Sequence, residues 1–231
     1  MVCVSEAIAA TAVQAGIPRN KILSVYNGIS AKPVLPLSTN DSSLRLGIVG
    51  SIGAWKGHDD LLEAIGILTS NGCRVTLRVF GNDQSEYAHQ LKSKARDLGI
   101  SDWIEWRGFV EAQESVFGSI DVCIVPSRCY EAFGMSALES SAFGRPVICT
   151  RRGGLTEVVQ DGVTGLVVEP ERPDQLAQAI HSFIANRDLV AKMGEAARQR
   201  SNAIFSQKRF VRQFVELIER ARGPSSGGIV T

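Results

Sequence analysis

The segment IDVCIVPSRCYEAFGMSALESSAF, residues 120–143, carries the pattern that decides the fold. Its apolar beginning, Ile120–Pro126, is typical of a buried strand, and its second half, Phe133–Phe143, is rich in small residues and predicts a helix. Glu131 is expected in the loop before that helix, and Glu139 one to two turns inside it. At a helical rise of about 1.5 Å per residue, the two carboxylates should lie roughly 10 Å apart along one groove.

The start of this predicted helix is a candidate anion site. Free backbone N–H groups near Phe133, Gly134 and Met135 should face outward at the positive end of the helix dipole. Gly134 lowers helix stability, and packing gives no evident reason for it. A ligand with a hydroxyl group at each end and a diphosphate in the middle would fit, which describes a sugar nucleotide. The alternative is a solvated pair of glutamates that the helix dipole favours.

Bulk composition narrows the function classes. The 231 residues are 44% hydrophobic and 21% charged with a net charge of +1, so nothing electrostatic favours nucleic acid as a partner. No apolar run approaches the roughly 18 residues of a transmembrane segment. Five cysteines without CxxC spacing predict a reduced, cytoplasmic protein, and three scattered histidines give no metal-ligand pattern.

Short apolar runs and helical stretches alternate from about residue 45. The predicted strands are Leu44–Val49, Val75–Phe80, Trp103–Trp106, Val122–Val125, Val147–Cys149 and Gly165–Val168. The predicted helices are Asp59–Ser70, Ser85–Leu98, Ala112–Gly118, Phe133–Phe143, Leu155–Gln160, Pro173–Asn186, Asp188–Ala203 and Gln207–Ala221. This alternation implies right-handed crossovers, and therefore an α/β, Rossmann-like parallel sheet with helices on both faces.

The ends of the chain do not fit this repeating pattern. Residues 1–32 read as a strand, a helix and a second strand, which would need more sheet to pair with. Residues 33–44 are predicted to be a linker, residues 45–222 the main domain, and the Gly/Ser/Pro-rich residues 223–231 a disordered tail. We expect that the chain begins in the middle of a larger architecture.

Ligands of open α/β sheets bind beyond the carboxyl ends of the strands. The loop VGSIGAWKG, residues 49–57, follows the first strand of the main domain, and its Lys56 offers a cation for phosphate. A solvated surface lysine is the alternative, since GxxxxGK[ST] and GxGxxG are both absent. The turns at 80–82 and 107–110 fit plain turn chemistry as well as ligand contact. For the arginines at 151–152, an exposed turn is the favoured interpretation.

Three motifs, taken together, resemble those of a known family. They are the spaced glutamates, the loop that ends in Lys56-Gly57, and the segment GGLTEVVQDGVTGLVV at residues 153–168. They resemble retaining GT-B glycosyltransferases of family 4, also called group 1, and the resemblance runs from about Val2 to Arg222. It implies two Rossmann-like domains, of which the N-terminal one mainly holds the acceptor and the C-terminal one the nucleotide-sugar donor. This chain is similar to the donor domain, the C-terminal half of a GT-B fold, preceded by the end of an acceptor domain.

The resemblance also implies roles for individual residues. Glu131 is similar to the carboxylate that contacts the transferred sugar near its anomeric centre, and Glu139 to the residue that accepts hydrogen bonds from the ribose hydroxyls. Lys56 matches the basic residue on the diphosphate, whose charge stabilises the leaving group. Family members often carry an arginine where this chain has Ser51. The implied catalytic residues are Glu131 and Lys56, and the implied donor-binding residues are Gly50, Ser51, Lys56, Arg107, Phe109, Glu131, Phe133, Gly134, Met135, Ser136 and Glu139.

The family's chemistry implies further expectations. Its members work without a bound metal or other cofactor, and they retain the anomeric configuration by front-face attack through an oxocarbenium-like state. The implied partners are a nucleotide sugar and a missing acceptor domain, or a subunit that supplies it. The chain alone is therefore expected to bind donor weakly and to transfer little. Many relatives use lipid-linked acceptors. Peripheral association with the cytoplasmic face of the membrane is therefore an open alternative.

Other functions stay open on the sequence. A non-catalytic nucleotide-sugar binding module would act only through a partner chain. A GT-B-type epimerase would convert free donor without acceptor, and a phosphorylase would need a pyridoxal lysine, for which no motif is present. A degenerate site would bind no nucleotide sugar at all. The base and the sugar are not readable, since UDP, GDP and ADP donors all occur in the family.

Overall fold

A computed structural model describes residues 1–37 and 43–222 of the chain. Its strands are β1 (Val2–Cys3), β2 (Leu23–Ser24), β3 (Leu44–Val49), β4 (Val75–Phe80), β5 (Ile104–Gly108), β6 (Val122–Val125), β7 (Val147–Thr150) and β8 (Gly165–Val168). Its helices are α1 (Glu6–Gln14), α2 (His58–Ser70), α3 (Glu86–Asp97), α4 (Gln113–Gly118), α5 (Met135–Ala142), α6 (Leu155–Val158), α7 (Pro173–Ala185), α8 (Asp188–Ile204) and α9 (Gln207–Arg222).

Strands β3 to β8 form one parallel sheet with an apolar core on each face. Successive strand side chains point to opposite faces. In β6, Val122 and Ile124 pack in the core shared with α2, α3 and α7, whereas Cys123 and Val125 pack in the core shared with α4, α5 and α6. Helices therefore cover both faces, which confirms the predicted fold class.

The order of strands in this sheet is β5-β4-β3-β6-β7-β8. From β3 the chain adds strands in one direction, and from β6 it adds them in the other. The loops after β3 and β6 therefore diverge and leave a crevice at the carboxyl edge of the sheet, which is where open α/β sheets bind ligands. The loops that carry Lys56 and Glu131 both begin at this crevice.

Residues 1–24 form a small unit beside the main sheet. In this unit β1 and β2 pair in parallel, and α1 packs on them. Ser5 Oγ donates a hydrogen bond to the backbone carbonyl of Ala132 at 2.6 Å. The carboxylate of Glu157 accepts from the backbone N–H groups of Glu6 and Ala7, at 2.9 and 2.8 Å, at the start of α1. The unit is thus fastened to the main domain next to the loop that carries Glu131.

The predicted elements are present, and their ends agree with the structure to within two residues. The strand predicted at Trp103–Trp106 runs instead from Ile104 to Gly108, because residues 101–103 form a short 3-10 turn. The helix predicted to start at Phe133 begins at Met135, since the residue before it has a non-helical backbone.

The described residues include only some of the predicted domain limits. Leu44 is the first residue of β3, so the linker predicted at 33–44 ends before it. Residues 38–42 of that linker, and the predicted tail at 223–231, lie outside the described residues. Among the helices of the described residues, none is both long and apolar enough to cross a bilayer.

A buried ion pair ties β3 to β6 at the opposite, amino edge of the sheet. Asp121, just before β6, accepts from the backbone N–H of Arg45 at 3.0 Å and from its guanidinium at 2.6 and 3.2 Å. The Asp121 backbone N–H returns a hydrogen bond to the Arg45 carbonyl at 2.7 Å. Since the Asp121 side chain is only 1% exposed, these donors offset the cost of burying its charge.

Asp121→Asn is expected to lower the free energy of unfolding by about 3–5 kcal/mol, because it leaves the Arg45 guanidinium buried without its counter-charge. Urea denaturation followed by tryptophan fluorescence measures the change. Asp174→Asn is the control, since Asp174 forms an exposed pair with Arg172 and should contribute little. A loss no larger than that of the control would show that the buried pair does not stabilise the contact between β3 and β6.

Candidate functional site

Two cavities meet at the carboxyl end of β3. The first has a volume of about 570 Å³ and lies over the start of α5, so we call it the α5 cavity. The second, of about 550 Å³, lies beyond the ends of β4 and β5, and we call it the β4–β5 cavity. Val49, Gly50 and Ser51 line both. The two cavities therefore form one continuous cleft along the crevice.

Both spaced glutamates line the α5 cavity. Glu131 comes from the loop after β6, and Glu139 from the helix α5 itself. Lys56 reaches the same cavity from the loop after β3. The other predicted donor-binding residues that line it are Gly50, Ser51, Phe133, Gly134, Met135 and Ser136.

The carboxylate of Glu131 is held by two donors on one oxygen. Lys56 Nζ and Ser127 Oγ both donate to its Oε1, the serine at 2.8 Å. Thr150 Oγ1 in turn donates to the backbone carbonyl of Ser127 at 2.6 Å. The Glu131 side chain is 15% exposed. It is thus oriented at the mouth of the cavity by groups from the β3 loop, the β6 loop and β7.

Further contacts join the β3 loop to the β6 loop. The Arg128 backbone N–H donates to the Trp55 carbonyl at 2.8 Å, and the Arg128 guanidinium forms a bidentate pair with Asp60 at 2.6 and 2.8 Å. Gly57 has a φ of +73°, and a Cβ there would lie 1.9 Å from the Pro126 carbonyl oxygen. Only glycine allows this close crossing of the two loops.

Gly134 is required by its backbone conformation, and it lies just before α5 rather than inside the predicted helix. Its φ is +99°, and a Cβ there would lie 2.5 Å from Leu155 Cδ2. This backbone conformation separates α5 from the loop. The Phe133 side chain is 3% exposed and packs against the rings of Tyr26 and Phe205. Phe133 therefore offers the cavity its backbone rather than its ring.

The carboxyl group of Glu139 is half-buried at the far end of the α5 cavity. Burial raises its pKa, while the Lys32 ammonium and the Gln113 side chain act in the opposite direction. Lys32 precedes the linker, so a segment outside the main domain supplies a charge near this carboxylate.

The β4–β5 cavity contains one of the two predicted residues from the loop after β5. Phe109 is 82% exposed and lines the cavity together with Phe80, Asn82 and Val110. Arg107 lies in β5 and lines neither cavity. It stands where the pairing of β5 with β4 shifts register, and its guanidinium donates to the Glu105 carboxylate at 3.3 Å.

The segment 151–157 supports the site from outside the cleft. Arg151 pairs with Glu169 at the surface, which fits the exposed turn expected from sequence. The Gly154 backbone N–H donates to the Glu131 carbonyl at 2.8 Å. Glu157 binds the start of α1 instead of the cleft.

Two residues of the site were missed by sequence reasoning. Ser127 was not singled out from the sequence, although a hydroxyl four residues before Glu131 was a usable signal. Asn27 lines the α5 cavity, and its Nδ2 donates to Met135 Sδ at 3.5 Å. No local pattern could have revealed this contact, because it joins positions 108 residues apart.

No metal site is evident in the part of the chain that the structure describes. Within residues 1–37 and 43–222, no group of three or more His, Cys, Asp or Glu side chains comes together that could hold an ion. Metal-free chemistry at this cleft stays a prediction.

His58 is buried beneath the cleft. It is the first residue of α2 and is 5% exposed. Burial lowers the pKa of its imidazole to about 4, although a hydrogen bond to the Gly53 carbonyl acts in the opposite direction. The ring is therefore neutral in the folded protein at neutral pH.

This pKa predicts a loss of stability in mild acid. The pKa of His58 in the folded protein lies below the ordinary 6.5, so the unfolded chain binds a proton at a higher pH than the folded chain does. The stability that the neutral ring contributes is therefore present above pH 6.5 and is lost as the pH falls toward 4. Between pH 7 and pH 5 the free energy of unfolding of the wild type should fall by roughly 2 kcal/mol more than that of His58→Gln. Urea denaturation at both pH values measures this, with the exposed His89→Gln as a control that should follow wild type. Equal losses in all three proteins would contradict a buried neutral imidazole.

Comparison with curated proteins identifies a family. The family model described as "Glycosyl transferases group 1" matches residues 37–200. A D-inositol 3-phosphate glycosyltransferase of Geodermatophilus obscurus is 32% identical over 218 residues, which cover 87% of this chain and 47% of that protein. A mannosylfructose-phosphate synthase of Agrobacterium fabrum is 25% identical over 179 residues, 74% of this chain and 39% of that protein. The chain thus spans about half the length, or less, of these relatives.

Solved structures share the fold. A glycosyltransferase from Rickettsia africae superposes with a TM-score of 0.86 at 24% identity, covering 97% of this chain and 64% of that one. HepE of Anabaena, in complex with UDP-glucose, superposes with a TM-score of 0.84 at 22% identity, covering 94% and 62%. The parallel sheet is thus that of the GT-B glycosyltransferases, and with a family match over well more than half of its residues the chain belongs to the glycosyl transferases of group 1.

Proposed function

We propose that this chain is the donor-binding part of a retaining glycosyltransferase and that its cleft binds a nucleotide-diphospho-sugar. The observation that carries the proposal is the α5 cavity, where two carboxylates, an ammonium group and the start of a helix converge. Membership of the group 1 family supports it. The fold shared with HepE, which binds UDP-glucose in its solved structure, agrees with it.

The diphosphate is proposed to bind between Lys56 and the first backbone N–H groups of α5. Those groups have no partner within the helix, and the helix dipole favours an anion beside them. The ammonium of Lys56 already neutralises Glu131, so that carboxylate does not repel the incoming phosphates. In transfer, Lys56 and the amides stabilise the charge that develops on the departing diphosphate. Ser51, where relatives often carry an arginine, offers a hydroxyl in place of a second cation.

The two carboxylates are proposed to bind the two sugars of the donor. Glu131, fixed by Ser127 and Lys56, accepts hydrogen bonds from the transferred sugar near its anomeric centre. Glu139 accepts hydrogen bonds from the ribose hydroxyls. Its partial burial makes those hydrogen bonds stronger than they would be in water.

The base is proposed to lie in the β4–β5 cavity, which adjoins the α5 cavity at Val49, Gly50 and Ser51. Phe80 and Phe109 give this cavity an apolar, aromatic lining suited to a planar ring. Retention of the anomeric configuration is proposed to follow from attack on the face that the diphosphate leaves. The acceptor would be bound by a further domain or subunit, so the chain alone should transfer little.

A thermal-shift screen of UDP-, GDP- and ADP-sugars tests donor binding. A ligand at 100 times its Kd should stabilise the chain by about 2.7 kcal/mol. Glu139→Gln keeps the size of the side chain but loses its charge, and is expected to weaken binding roughly tenfold or more, because hydrogen bonds to a charged group contribute about 1.5–3 kcal/mol. Glu219→Gln, an exposed glutamate on α9, is the matched control and should bind as wild type does.

Two outcomes would count against the proposal. If no nucleotide sugar stabilises the wild type, the chain is not a donor-binding domain in the form proposed. If a donor binds but Glu139→Gln responds as Glu219→Gln does, the assignment of Glu139 to the ribose is wrong.

A further inference from the structure

A small recess adjoins the floor of the α5 cavity, and we call it the His58 recess. It is lined by the ends of β3 and β6 and by Lys56, His58, Ser127 and Ser136. Lys56 and Ser136 also line the α5 cavity, so the two spaces are neighbours. About 10 Å³ of the recess is open to the centre of a water molecule. This is room for a single water.

His58 brings an unpaired ring nitrogen to this recess. The residue is 5% exposed, and its Nδ1 has no hydrogen-bond partner among the described residues. In a neutral imidazole one ring nitrogen donates and the other accepts. A buried ring nitrogen without a partner costs free energy in either state.

The size and chemistry of the recess restrict what it can hold. About 10 Å³ is too small for a phosphate group, so the recess is not a second anion site. One imidazole is too few ligands for a metal ion, and within the described residues no cluster of three metal-binding side chains exists. The nearby donors Lys56 Nζ and Ser127 Oγ are already used on Glu131. Water is small enough for the recess and can pair with Nδ1.

We propose that the His58 recess binds one water molecule, which positions Glu131 through Ser127. The water donates one hydrogen to His58 Nδ1 and the other to a lone pair of Ser127 Oγ, and it accepts from the Ser136 hydroxyl. The Ser127 hydroxyl still donates its hydrogen bond to Glu131 Oε1. Each donor and acceptor in this set therefore has a partner. His58 is thereby a positioning residue, because it touches no substrate and acts through the water and Ser127.

This arrangement would fix the carboxylate before a donor arrives. Ser127 without the water could rotate its hydroxyl away from Glu131, and the Glu131 side chain would then lose one of its two donors. Sites that are oriented in advance bind their ligands with a smaller entropic cost. The proposed effect on ligand affinity rests on the proposed donor-binding function, whereas the water itself does not.

A high-resolution crystal structure of the chain tests the water directly. Wild type should show one water within hydrogen-bond distance of His58 Nδ1 and Ser127 Oγ. His58→Asn keeps an amide acceptor near the position of Nδ1 and should retain the water. His58→Gln places its amide near the position of Nε2 and should lose the water. A recess without water in wild type, or Nδ1 bonded to a protein hydroxyl, overturns the proposal.

Calorimetric titration with a nucleotide sugar gives a second readout on the same three proteins, after circular dichroism has shown that each is folded. The probe is whichever of UDP-, GDP- and ADP-glucose stabilises wild type most in the thermal-shift screen, because Glu131 is assigned to the transferred sugar and bare UDP lacks it. His58→Gln should bind this probe about tenfold more weakly, whereas His58→Asn should stay within about threefold of wild type. Equal affinities of the two variants overturn the positioning role. If wild type binds none of the three, the proposed function fails, and the crystal structures alone then decide whether the recess holds the water.

Discussion

The reversal of strand order between β3 and β6 is the constraint on which the site depends. Neighbouring parallel strands normally send their loops to the same side, but here the chain moves outward from β3 in one direction and from β6 in the other. Lys56 and Glu131, which are 75 residues apart in sequence, meet at the crevice between the two loops. A buried pair, Arg45 with Asp121, fixes the same two strands at the opposite edge. The packing of the sheet and the chemistry of the cleft therefore have one common origin.

Local patterns were enough to predict the elements of the fold. Apolar runs of four to six residues between helical stretches identified the strands of the main sheet, because buried parallel strands are apolar on both faces. The register and order of those strands could not be predicted, since the contacts that set them join distant parts of the chain. The prediction placed Glu131 before the helix and Glu139 within it, and the two line one cavity.

The errors have physical explanations as well. Gly134 was placed inside the predicted helix, whereas its left-handed backbone comes just before Met135. Arg107 was included by its nearness to Phe109, although it lies in β5 and its guanidinium pairs with Glu105. Both outcomes depend on local backbone geometry that a residue pattern does not specify.

The charges on the loops after β3 and β6 are paired before any ligand is considered. Lys56 is neutralised by Glu131, Arg128 by Asp60, and His58 is uncharged. Anion binding in the proposed site therefore depends on directed groups, namely the Lys56 ammonium and the backbone N–H groups of α5, more than on a net positive field. This differs from a basic patch, whose affinity is lost in salt.

A crystal structure of the chain with UDP bound tests the central claim most directly. We expect the diphosphate oxygens within hydrogen-bond distance of Lys56 Nζ and of the backbone N–H groups at residues 134–136, with the ribose hydroxyls on Glu139 and the base in the β4–β5 cavity. UDP bound outside the cleft, or bound in it with the ribose turned away from Glu139, would contradict the account.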